Sequence, residues 1–154
     1  MGVSINTIIG PYLQVKGRYE IKKTKVKRMC PNHPKKETND KFCAQCGTPI
    51  ESFDYVETKT LTPQQFFFQS DLCNDDGLWC PEYCDAILPN NYPPNNINVD
   101  INNQNSVDLT NVGSIIEEQL KWFNEKYVKE ITAFKQAFGE DKIKICWGVV
   151  TFYS

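Results

Sequence analysis

Four side chains able to hold a soft metal ion fall within seventeen residues: Cys30, His33, Cys43 and Cys46. They form two short loops, Cys30-Pro-Asn-His33 and Cys43-Ala-Gln-Cys46, each of the form ligand-x-x-ligand. That spacing turns the backbone so that both side chains reach one ion, and two such loops supply the four corners that zinc prefers. Nine residues, "PKKETNDKF", join the loops and are mostly polar and turn-forming. Gly47 permits a positive φ after the last cysteine, and Phe42 is placed to cover the sulfurs. Four protein ligands close the coordination sphere, whereas catalytic zinc keeps one position for water or substrate, so a structural ion is expected. His33 is also the only histidine of the chain. With it on the metal, no imidazole remains for acid–base work or for activating a nucleophile. Neither a phosphate-binding Gly-rich loop, nor Gly-x-Ser-x-Gly, nor a dinucleotide fingerprint occurs, and the chain is expected not to be an enzyme.

Residues 30 to 50 resemble the zinc ribbons and zinc knuckles of the Cys3His kind, a resemblance that implies structural zinc and leaves the partner open. Lys, Asn and Ile number 15, 14 and 13 against two Arg and four Ala, a bias that AT-rich coding sequences produce. A short chain with this bias, a cysteine cluster and no enzyme motif resembles the accessory proteins of large tailed bacteriophages. That resemblance implies a place in the host cytoplasm or the virion.

The other cysteines, Cys73, Cys80, Cys84 and Cys146, are spaced more loosely. They read either as a second four-thiolate site or as small buried apolar residues. Seven cysteines is an odd number, and with no secretory signal they read as reduced thiols rather than as a disulfide framework. Asp71, Asp75 and Glu82 fall at spacings like those of a calcium loop, but Cys73 and Asp76 stand where that loop needs an acid and a glycine, so calcium is not expected.

Charge is segregated along the chain although the net is only −2. Residues 16 to 41 carry ten basic and three acidic side chains, a net of +7; residues 54 to 118 carry one basic and eleven acidic, a net of −10. Lys22, Lys23, Lys25, Lys27 and Arg28 run into the proposed metal tip, and Lys35, Lys36 and Lys41 continue around it. Such a strip can lie along a phosphate backbone, or it can keep an exposed strand edge from pairing. Three kinds of partner therefore compete. The basic ribbon could take DNA or RNA; the ribbon with the acidic aromatic loop at Leu78, Trp79, Tyr83 and Tyr92 could take a protein; or the oppositely charged segments could drive self-association as an assembly component.

The elements that position these groups read as follows. Residues 5 to 28 suggest two antiparallel strands joined by a short turn, and 50 to 60 a strand that returns beside 19 to 28, leaving the metal loops at a hairpin tip. Thr62 and Pro63 suit the cap and first position of a short helix over 63 to 70. Residues 71 to 113 read as loops with one short strand near 97 to 101. Ile116, Leu120, Phe123, Tyr127, Ile131, Phe134 and Phe138 recur at helical spacing, so one long helix is expected over 114 to 138, capped by Ser114 with Glu117 and stopped by Gly139. Ile143, Ile145, Trp147 and Val149 alternate on a final strand, placed beside the first. The fold class is α+β: one domain over 1 to 154, a mostly antiparallel sheet crossed by the long helix, with 28 to 50 as an inserted zinc-ribbon tip. No apolar run is long enough to span a membrane and the first residues lack a secretory pattern, so a soluble cytoplasmic chain is expected.

Overall fold

A computed structural model describes residues 4–34, 36–72, 77–81, 84–99 and 106–153. The chain divides into two compact units, Met1–Tyr19 with Leu61–Ser154, and Glu20–Thr60.

The larger unit is built on an antiparallel sheet of four strands in the order β4-β5-β1-β6. The strands are β1 (Ile5–Val15), β4 (Leu78–Trp79), β5 (Ala86–Pro89) and β6 (Ile143–Tyr153). As the sequence suggests, the final strand lies beside the first, and the pairing runs without interruption from Ile5 opposite Tyr153 to Val15 opposite Ile143. Alternation along the strands gives each face its own apolar set. Leu13, Val15 and Ile87 join the core against the helices, with Ile143 and Ile145 packed on it. Ala86, Leu88 and Val150 form a second cluster, flanked by Ile8, Tyr12 and Phe152. Both faces being apolar, the single alternation read for β6 is incomplete: Val149 is exposed while Val150 is buried.

Both strands expected in residues 5 to 28 form, as β1 and β2 (Tyr19–Met29), but they do not pair with each other. β2 pairs instead with β3 (Glu51–Leu61) in a separate two-stranded sheet. Composition decides between the partners. β1 carries residues that both faces of the main sheet bury, whereas the lysines of β2 must stay in water.

Helix α1 (Pro63–Gln69) forms where Thr62 and Pro63 place it. Thr62 Oγ1 accepts from Gln65 N, and Gln65 Oε1 accepts from Thr62 N, a reciprocal cap. Phe67 of this helix is fully buried in the core.

The long helix expected over 114 to 138 is two helices, α2 (Val112–Lys126) and α3 (Val128–Phe138). Tyr127 separates them with φ −107° and ψ 25°. Backbone hydrogen bonds still span the junction, Tyr127 N to Phe123 O and Ile131 N to Tyr127 O, so the break is a bend anchored by a ring that is 1% exposed. Burial pushes the pKa of the Tyr127 hydroxyl up. The cap expected at Ser114 is not used, because α2 starts earlier. Thr110 N and Oγ1 both donate to Asp108 Oδ1, and this local turn sets the entry three residues ahead of Ser114. Gly139 does stop α3, at φ 97°.

Gln119 is the polar residue that helical periodicity did not place in the core. It is fully buried, donates from Nε2 to Pro94 O and Asn95 O, and accepts from Trp147 Nε1 at 2.8 Å. One side chain thereby ties α2 to β6 and to the loop after β5. Gln119→Leu keeps the volume but leaves the Trp147 indole N–H and the Pro94 and Asn95 carbonyls without their partner in a part-buried site, and is expected to cost about 2 kcal/mol. The check is a urea midpoint shift with loss of exchange protection at the Trp147 indole. Among the described residues no helix is long and apolar enough to cross a membrane.

Candidate metal centre

The ribbon Glu20–Thr60 holds the four candidate ligands at one end. β2 and β3 run antiparallel, since Lys25 meets Glu57 and Lys27 meets Tyr55. Beyond Met29 the chain turns at once, His33 N donating to Cys30 O at 3.2 Å. The second loop is a small hairpin: Phe42 bridges Pro49, Ile50 N donates to Lys41 O, and Cys43 N donates to Thr48 O at 2.8 Å. Gly47, at φ 71°, makes its turn and donates from N to Cys43 O, as its place in the sequence requires. Asn32 Nδ2 donates to Thr48 Oγ1 and links the two loops. The connection between them is pinned to β2, because Thr38 N donates to Arg28 O and the Arg28 guanidinium donates to the carbonyls of Asn39 and Asp40.

This framework gathers Cys30, His33, Cys43 and Cys46 so that one ligand atom from each lies within 4.8 Å of every other. Cys30 Sγ is 3.5 Å from Cys46 Sγ and 3.7 Å from His33 Nδ1, and Cys43 Sγ is 3.6 Å from His33 Nδ1. A tetrahedron with the usual zinc–sulfur and zinc–nitrogen lengths has edges of about 3.6 to 3.8 Å. These three separations lie close to those edges, with Nδ1 as the imidazole donor, and all six fall within 4.8 Å. The donor set therefore fits a zinc ion.

Electrostatics around the sulfurs differ. Thr48 presents its hydroxyl, 3.1 Å from Cys46 Sγ, and its N–H, and together they hold the Cys46 pKa down at about 6. Cys30 is 2% exposed, and burial pushes its thiol up. Phe42 does not cover the sulfurs as expected; it is 59% exposed, the strand-like bridge to Pro49 turning its ring outward. A cleft of about 410 Å³ opens beside the cluster, lined by Cys30, Asn32, His33, Lys36, Asp40 and Ile50 among others.

The basic strip is partly engaged within the ribbon. Lys25 pairs with Glu57, Lys27 Nζ sits 4.4 Å above the Tyr55 ring, and Arg28 braces the metal loops. Lys22, Lys23, Lys36 and Lys41 are exposed, and Lys35 lies outside the described residues. Glu57 and Tyr55 were legible as partners only from the β2–β3 register, which the sequence does not print.

Among the described residues Cys30, His33, Cys43 and Cys46 are the one group spaced to hold a metal, and Cys73 lies outside those residues with Asp75, Asp76, Glu82 and Tyr83. Cys80 Sγ faces the carbonyls of Pro81, Cys84 and Ala86 at 3.8–3.9 Å, and Cys84 Sγ accepts from Ala86 N. Burial pushes the Cys80 pKa up to about 11 against the lowering effect of Gln64, so the thiol stays protonated at neutral pH. Cys80 is expected to resist iodoacetamide at pH 8 until denaturant is added, which peptide mapping would follow. Of the aromatic loop offered as a partner surface, Leu78 is wholly buried in the core and Trp79 packs on Phe152 at 5.1 Å, while Tyr92 is 84% exposed. Apolar burial claims Leu78 for the fold.

No known protein family, curated protein or solved structure matches this chain.

Proposed function

We propose that residues 20–60 are a structural zinc ribbon, and that the protein is a non-enzymatic binding protein whose metal tip is a rigid contact element for a protein partner. The convergence of four ligand atoms within 4.8 Å supports this reading above all. Cys30, Cys43 and Cys46 would bind through sulfur and His33 through Nδ1. With all four positions taken by protein, the ion would organise the loops and activate no water. A ribbon of two strands is marginal alone in water, and a metal at its end supplies what its small core does not.

A protein partner is favoured over nucleic acid by what the ribbon exposes. Val26 and Val56 are 58% and 61% exposed and Phe42 stands beside the metal loops, whereas Lys25, Lys27 and Arg28 direct their charge at the ribbon's own groups. Salt-dependent binding to mixed-sequence DNA and RNA is the discriminating experiment, run on zinc-loaded protein whose metal content is measured. One zinc per chain with no nucleic-acid binding at low salt supports the proposal. Binding with a steep salt slope would transfer the role to Lys22, Lys23, Lys36 and Lys41 and replace a protein partner with a phosphate backbone. Absence of zinc would remove the ribbon reading itself.

A further inference from the structure

A second cavity, in the larger unit, has a chemistry unlike that of the ribbon. After Pro89 the chain leaves the sheet, loops out, and returns to β1 at a single bridge between Ile9 and Ile97. The gap so formed is a cleft of about 300 Å³, at the small end of the range of ligand pockets. Thr7 and Ile8 of β1 lie on its wall, with Trp79, Tyr92, Asn96 and Asn98 among the residues around it. Its lining, among the described residues, contains no Lys, Arg, Asp or Glu, although the chain is 23% charged.

The walls offer two things. Asn96 Nδ2 donates to Asn98 Oδ1, an amide pair whose other groups are an acceptor oxygen on Asn96 and donor hydrogens on Asn98. Trp79 and Tyr92 supply aromatic faces. The Trp79 plane is fixed by edge contact with Phe152, at 80° between rings, and Tyr92 stands 84% exposed on the rim. The rim is also built in advance. Pro94 O and Asn95 O accept from the buried Gln119, Asn95 takes the left-handed conformation at φ 52° and donates to Glu118 Oε2, and Asn90 N donates to Gly77 O. A loop held at so many points loses little freedom when a ligand arrives.

We infer that this cleft binds a neutral polyhydroxylated ligand, a carbohydrate. A sugar hydroxyl donates and accepts at once, matching paired amides, and the C–H face of a pyranose ring lies well on an aromatic plane. Among the described residues of the lining no side chain offers a countercharge to an anionic or cationic ligand. The inference is independent of the zinc ribbon.

The test is an NMR titration of the full zinc-loaded chain, labelled with nitrogen-15, against glucose, galactose, mannose, N-acetylglucosamine and their short oligomers at millimolar concentration, with inorganic phosphate as the charged control. At least one sugar is expected to shift the Asn96 and Asn98 side-chain amides and the Trp79 indole saturably, while phosphate leaves them in place. Tyr92→Ala, at an exposed position, should weaken that binding at least tenfold with the melting temperature unchanged; Asn98→Ala provides a second variant that spares the core. Three results would overturn the inference: no shift with any sugar, an equal response to phosphate, or undiminished binding in the Tyr92→Ala Asn98→Ala double variant.

Discussion

Cys30→Ser is expected to strip the protein of zinc and to collapse the order of the ribbon. Cys30 is the one ligand of the four that is buried, it closes the end of β2, and its sulfur lies against both His33 Nδ1 and Cys46 Sγ. Serine offers a harder, more basic oxygen that is not ionised at neutral pH, so the ion loses a thiolate corner. Removal of a group that merely supports a ligand lowers metal affinity roughly 10–100-fold, and loss of a ligand itself should exceed that. Because metal binding in small zinc modules is itself the folding free energy, about 10–16 kcal/mol in zinc-finger peptides, residues 20–60 should lose dispersed amide signals when the ion leaves. Elemental analysis and an NMR spectrum of the variant check both halves. Full zinc content and an unchanged ribbon spectrum would show that Cys30 is not a ligand.

Phe134→Ala should produce the largest loss of stability in the other unit, about 3–5 kcal/mol. The ring is fully buried and meets Phe66 at 5.4 Å, Phe67 at 6.3 Å and Phe138 at 6.1 Å between centroids. It therefore joins α1 to α3, and its truncation opens a cavity that rigid aromatic neighbours fill poorly. All three tryptophans, Trp79, Trp122 and Trp147, belong to this unit, so urea unfolding followed by their fluorescence reports its stability directly. A midpoint near that of the wild type would mean that the aromatic cluster repacks.

How much of this was legible depended on whether the signal was local. The ligand spacing, the Thr62 cap and the stop at Gly139 are encoded within a few residues, and each appears where the sequence puts it. Partner choice between strands is not local. The lysine-rich β2 and the apolar β1 are neighbours in sequence with a Lys-Gly between them, and only the competition for burial assigns them to different sheets. Helical periodicity ran through Tyr127 undisturbed because the bend preserves the hydrogen bonds and the face. The same periodicity favoured Leu120 over Gln119, since the partners that make Gln119 a core residue lie 24 to 28 positions away.

The pairing of β1 with β6 also bears on how the molecule comes into being on the ribosome. Ile5–Val15 is the central strand's full length, yet its long partner, Ile143–Tyr153, is the last of the described strands to be made. Until then an apolar segment with an open backbone edge must wait, the situation in which nascent chains are most prone to stick to one another. The ribbon has no such dependence, since β2 and β3 are separated only by the metal loops. Vectorial synthesis would thus finish the β2–β3 ribbon early and leave the main sheet to close in one late, long-range step, slow in proportion to its sequence separation and a natural point of intervention for chaperones.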